Sequence, residues 1–128
     1  MRWCFEESSA YAEKILDGII AGQQAYVPML CLYEVISVMA ASQRRGTLST
    51  QKAHGFLEDL RMLDIEIDSE TSPRDIFVSA HSLAVKHRLT GYDAVYLELA
   101  MRKGLPLASL DSDLNKAAEA VGVALVTV

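Results

Sequence analysis

Three acidic residues stand out by the company they keep: Glu34, Asp93 and Asp111. Glu34 is the only charged residue between Asp17 and Arg44, and its neighbours are Leu32, Tyr33, Val35, Ile36 and Val38. A helix that is apolar nearly all round is expected to be buried. A lone carboxylate there needs an arginine, a hydroxyl or a metal ion beside it. Asp93 sits in Thr90-Gly91-Tyr92-Asp93-Ala94. Taken alone it also reads as a capping acid, with Thr90 as N-cap and Asp93 at the third helical position. Asp111 ends an apolar run from Leu105 to Leu110, at the carboxyl end of a strand where sites form in open parallel sheets. It equally suits the N-cap of the helix that follows. Ser109 lies two residues earlier, on the same side of the strand, and could orient a carboxylate or a water. Asp113 reads as a first-turn acid that complements the helix dipole, or as an auxiliary ligand.

Three carboxylates at the ends of elements can make one hard, oxygen-only cation site. That donor set suits Mg²⁺ or Mn²⁺, whereas zinc wants His or Cys. Such a site is apparatus for phosphodiester hydrolysis: it activates water, neutralises phosphate and stabilises the leaving oxygen. Spacing alone does not bring the three together.

The elements that would position them are legible as periodicity. Ala12, Ile15, Leu16, Ile19 and Ile20 share one helical face that Gly22 can end. Leu32, Val35, Ile36, Met39 and Ala40 mark a second helix, starting after Pro28 and closing at Arg44, Arg45 and Gly46. Ala53, Phe56, Leu57, Leu60 and Leu63 line a third, capped by Ser49 or Thr50. Ser72, Pro73 and Asp75 open a fourth, with Ile76, Phe77, Ala80, Leu83 and Ala84 inward. A fifth runs from about Tyr92 to Lys103, and a sixth after Asp111 carries Leu114, Ala117, Ala118 and Val121. Between them lie apolar runs too short for helices: Ala25 to Pro28, Asp64 to Ile67, Leu105 to Leu110 and Val123 to Val128. Alternation of this kind predicts an α/β fold with buried parallel strands, although three helical segments between the second and third runs break strict alternation.

The 128 residues suit a single domain spanning 1–128. No apolar stretch reaches the ~20 residues of a membrane helix, and Met1 to Phe5 offers no signal-peptide core, so the cytoplasm is the expected compartment. Cys4 and Cys31, among apolar neighbours, read as buried thiols. His54, His81 and His87 form no zinc-type set and read as helix-surface or core-edge residues. The net charge of −5 argues against a general nucleic-acid coat protein and leaves room for a basic partner. Contact with phosphates would then fall to local cations. Arg44 and Arg45 are the first candidates, with Arg74 and Arg102 behind them, although the first two also simply complement a helix C-terminus.

The segment from Leu89 to Ala100, Leu-Thr-Gly-Tyr-Asp-Ala-Val-Tyr-Leu-Glu-Leu-Ala, resembles the signature of PIN domains of the VapC toxin type. Gly104-Leu105-Pro106-Leu107-Ala108-Ser109-Leu110-Asp111 resembles the family's later acidic motif, and Pro28-Met29-Leu30-Cys31-Leu32-Tyr33-Glu34-Val35 its helix with an acid after a strand and proline. The resemblance spans essentially the whole chain. It implies a three-layer α/β/α sandwich with a mainly parallel sheet, a Mg²⁺ or Mn²⁺ cofactor, and hydrolysis of RNA. Glu34, Asp93 and Asp111 match the family's second, third and fourth acidic positions as metal ligands, and Ser109 a supporting Ser or Thr. The resemblance also implies a homodimer and a small VapB-type antitoxin that covers the active groove. Family members start with a central strand ending in Asp, ahead of a segment like Arg2-Trp3-Cys4-Phe5-Glu6-Glu7. The chain begins after that point, so the expectation is a functional protein about ten residues longer, with an apolar strand ending in Asp.

Two other functions compete. A catalytically inactive PIN-like module that binds antitoxin or RNA would explain the missing acid. A receiver-like phosphoacceptor domain also collects acids at strand ends, but it wants a Lys after a late strand. None follows Leu107 to Leu110 or lies within Val123 to Val128.

Overall fold

A computed structural model describes residues 25–109 and 111–126. The expected first helix, Cys4 and the segment Arg2 to Glu7 lie outside the described residues, as do Leu110 and the last two residues of the final apolar run. Between Ile67 and Asp68 the chain divides into two compact units.

In the first unit, β1 (Ala25–Val27) and β2 (Ile65–Ile67) pair in parallel, with Ala25 opposite Ile65 and Val27 opposite Ile67. The connection between them holds α1 (Met29–Arg44) and α2 (Thr50–Met62). Pro28 precedes α1 with extended backbone, where its missing N–H is harmless. Helix α1 ends on Arg44 and Arg45, with Gly46 beyond at a positive φ of 77°. Ser49 caps α2 by accepting the Lys52 N–H at 3.2 Å. The buried stripe of α1 is Cys31, Val35 and Met39, spaced by four. Burial all round α1, as its composition suggests, is not what is found. Tyr33, Ile36 and Val38 are exposed, and Ile36, expected on the inner face, is 53% accessible. An apolar composition predicts burial only where another element covers the face. Helix α2 buries Ala53 and half-buries Phe56, Leu57 and Leu60, as its periodicity predicts.

The second unit begins with a reciprocal cap. Ser72 N–H donates to Asp75 Oδ2 at 2.9 Å, and Asp75 N–H donates to Ser72 Oγ at 3.2 Å. The following turns, Asp75–Ala80, are π-helical and run into α3 (His81–His87). The His81 N–H reaches back to Ile76 O, five residues earlier. This wider turn changes the angular phase of the segment. Phe77, expected inward, is 77% exposed, while Ala80 is buried. Helix α4 (Gly91–Lys103) starts at Thr90 and stops at Gly104, whose φ of 63° lets Leu105 N–H close on Ala100 O at 3.0 Å. Helix α5 (Ser112–Ala120) follows Asp111. Leu107 and Leu125 form a parallel bridge, with Leu107 N–H on Ala124 O at 2.8 Å and Val126 N–H on Leu107 O at 2.9 Å. Both late apolar runs therefore contribute extended backbone to one parallel pairing. Ala94, Leu97 and Ala100 of α4 pack with Leu114, Ala117 and Ala118 of α5, Leu107 and Ala80 into a core. The α/β class and the parallel pairing expected from the alternation are present.

Candidate functional site

Asp93 and Asp111 both sit at helix starts in the second unit. Thr90 Oγ1 accepts the Asp93 N–H at 3.1 Å, which makes Thr90 the N-cap and puts Asp93 in the first turn of α4. Asp111 caps α5: its Oδ1 accepts the Leu114 N–H at 2.9 Å. So the capping reading of each residue holds. It does not oppose a functional one, because a helix N-terminus favours a negative charge whatever that charge also does. Ser109 meets Asp111 at its backbone. The Asp111 N–H donates to Ser109 Oγ at 3.0 Å. Asp113 is exposed in the first turn of α5, the place of a dipole acid.

Glu34 belongs to the first unit and is half-buried on α1 between exposed Tyr33 and buried Val35. Among the described residues, no three His, Cys, Asp or Glu side chains gather as a metal site. In donor chemistry Asp93, Asp111, Ser109 and Glu34 do fit a hard cation, since all four offer oxygen alone.

Arg44 and Arg45 are exposed at the end of α1, and Arg74 is exposed ahead of the π-helical turns. Arg102, a candidate RNA contact by sequence, is otherwise engaged. Its Nη2 lies 2.6 Å from Asp68 Oδ2 and its Nη1 3.3 Å from Asp68 Oδ1, a bidentate pair. Its Nε reaches Glu98 Oε2 at 2.8 Å, Nη2 donates to Thr71 Oγ1 at 3.2 Å, and Asp75 Oδ2 stands 3.7 Å from Nε. Three carboxylates hold this guanidinium, so we remove Arg102 from the phosphate-binding candidates. The pairing shows in the acid strengths. The Arg102 hydrogen bonds hold the Asp68 carboxyl well below the usual range against the opposing effect of burial, with help from Thr71 and the Glu70 N–H. Asp75 is also lowered, chiefly by the Ser72 N–H. Glu98 and Asp68 in turn raise Arg102 further above its ordinary value.

Sequence reasoning missed this cluster. Asp68 is the first residue after β2, the position where polar residues invite scrutiny in a parallel sheet. Glu98 and Arg102 are four apart on one helix, acid first, the favoured order for a helical ion pair. Both signals were present.

The chain matches the PIN domain family model over residues 3–120. It is 33% identical over 113 residues to Ribonuclease VapC3 of Pyrobaculum aerophilum, which covers 85% of this chain and 80% of that protein.

Proposed function

The chain belongs to the PIN-domain family, and from that premise we propose that it is a Mg²⁺- or Mn²⁺-dependent endoribonuclease, the toxin of a type II toxin–antitoxin pair. The observation that carries this reading is the similarity to a ribonuclease along 85% of the chain. Asp93 and Asp111 are its metal ligands in the second unit, with Asp113 auxiliary, and the family resemblance assigns Glu34 the same role. A bound Mg²⁺ or Mn²⁺ would supply Lewis acidity and an activated water at these oxygens.

The chain's own residues do the rest. The Leu114 N–H fixes one oxygen of Asp111, so its carboxylate holds a set direction. Ser109 Oγ anchors the backbone of the same residue. Thr90 anchors the start of α4, and with it Asp93. Exposed Arg44, Arg45 and Arg74 hold backbone phosphates, which the net charge of −5 would otherwise repel. The acidic balance also suits a basic VapB-type antitoxin, and the protein works in the cytoplasm as a homodimer. Among the described residues, no helix is long and apolar enough to cross a membrane.

The test is cleavage of a mixed-sequence RNA with and without Mg²⁺ or Mn²⁺, for the native chain and for Asp93→Asn and Asp111→Asn. Replacing a direct ligand should reduce the rate by more than the ~10–100-fold typical of residues that only support ligands. Cleavage that ignores chelator, or variants that cut as fast as the native chain, would sink the assignment. Tight RNA or antitoxin binding with no cleavage at any metal concentration would favour the inactive module.

A further inference from the structure

Asn115 lies one turn into α5 from Asp111. Its Nδ2 donates to the Ser109 carbonyl oxygen at 3.0 Å, and its backbone N–H donates to the Asp111 carbonyl oxygen at 3.0 Å. One residue thus ties down both Ser109 and Asp111. The Asp111 N–H also meets Ser109 Oγ at 3.0 Å, and Asp111 Oδ1 takes the Leu114 N–H at 2.9 Å. These four bonds leave the backbone of Asp111 little freedom, and its side chain enters the site from a fixed base.

The amide is also oriented. Turned over, it would press Oδ1 against the Ser109 carbonyl oxygen, two acceptors face to face. In the orientation found, Oδ1 is buried and meets no protein donor. Among the described residues, the side chain is held through Nδ2 on the Ser109 carbonyl oxygen.

We propose that Asn115 is a positioning residue for the Asp111 carboxylate, acting through the Ser109 carbonyl; this rests on the ribonuclease reading above. Loss of the amide would release the Ser109 carbonyl and let the Asp111 carboxylate swing. Cation affinity would fall by ~10–100-fold, the usual consequence of losing a group that orients a ligand.

The full chain is titrated with Mn²⁺ alone by calorimetry, and Leu114 amide exchange is followed without metal. Asn115→Leu and Asn115→Ala should both weaken Mn²⁺ binding and speed Leu114 exchange. Their RNA cleavage should recover at raised Mn²⁺, a rescue that a merely structural defect would not show. Asn115→Gln, with the donor on a longer arm, should recover part of the affinity. Asp111→Asn is the reference. If it loses Mn²⁺ affinity while either folded Asn115 variant keeps it, the positioning role is refuted and the ribonuclease site stands. If Asp111→Asn itself binds Mn²⁺ like the native chain, the site assignment falls and takes this role with it.

Discussion

Two sets of acids in the second unit are handled in opposite ways. Asp68, Asp75 and Glu98 surround Arg102, and the Asp68 side chain is 1% exposed. Asp93 and Asp111 stand half-buried at helix starts, where backbone amides hold their turns. The first set carries its counter-charge in the fold, as a guanidinium whose planar fork meets a carboxylate with two bonds. The second set lies where helix dipoles favour an anion, by ~0.3–1 kcal/mol each. An acid closed off by an arginine holds structure. Asp111 is instead oriented by the Leu114 amide at the start of a helix. Burial alone would have ranked the two sets the other way, with Asp68 and Glu98 ahead of Asp93 and Asp111.

Five measurements would break or sharpen that contrast. Arg102→Ala should have the largest effect, a loss of ~3–5 kcal/mol in unfolding free energy, because it strands buried carboxylates without a partner. Urea denaturation would read it, and a loss under about 1 kcal/mol would place the cluster among weak surface pairs instead.

Next comes Mg²⁺. At 100 times its Kd it should add ~2.7 kcal/mol by binding the native state alone. Thermal melting should show this for the native chain and for Glu70→Ala, and show it lost in Asp93→Asn and Asp111→Asn. A rise in Tm that survives in both Asn variants would mean the ion sits elsewhere.

Acid should distinguish the sets as well. Folding lowers the Asp68 and Asp75 carboxyls. A lowered carboxyl stabilises the fold fully above its unfolded value of ~3.9, and that contribution is lost as pH falls below it. Urea midpoints measured from pH 6 downward should hold steady and then drop below about pH 4. Asp68→Asn should start from a lower stability and flatten the drop; an unchanged slope would remove Asp68 from the account.

The cap gives a smaller number. Asp111→Ala should cost about 1 kcal/mol of stability, while Asp111→Asn should cost only a few tenths, because Asn caps a helix as well as Asp does. If Asn proves as damaging as Ala, the charge of Asp111 matters to the fold and the contrast weakens. Smallest of all should be Lys103→Ala. Its 2.7 Å pair with Glu70 has a partner 68% exposed, and exposed pairs contribute ~0–1 kcal/mol.

Much of the second unit was legible in residue order. The Thr90 and Asp111 caps and the Leu114, Ala117, Ala118 stripe all depend on neighbours within about four positions, so periodicity and cap chemistry reach them. Of the four apolar runs expected as strands, the first two form the parallel pair, and the last two meet in a single parallel bridge. Ile36 and Phe77 were misplaced because exposure depends on what covers a face and on the π-helical turn, neither of which is written in local spacing. Arg102 was misjudged because Asp68 lies 34 residues away in the chain. An arginine near an acidic site and an arginine inside an acidic cage look alike until the fold brings that distant carboxylate to it.

By itself the sequence determined the elements, their caps, the oxygen-only donors and the family. These follow from backbone geometry and residue chemistry, which act over one or two helical turns. Only the tertiary structure decided which charges neutralise one another. Coulomb attraction and desolvation depend on distances through space, and a chain of 128 residues can bring almost any pair together or keep it apart.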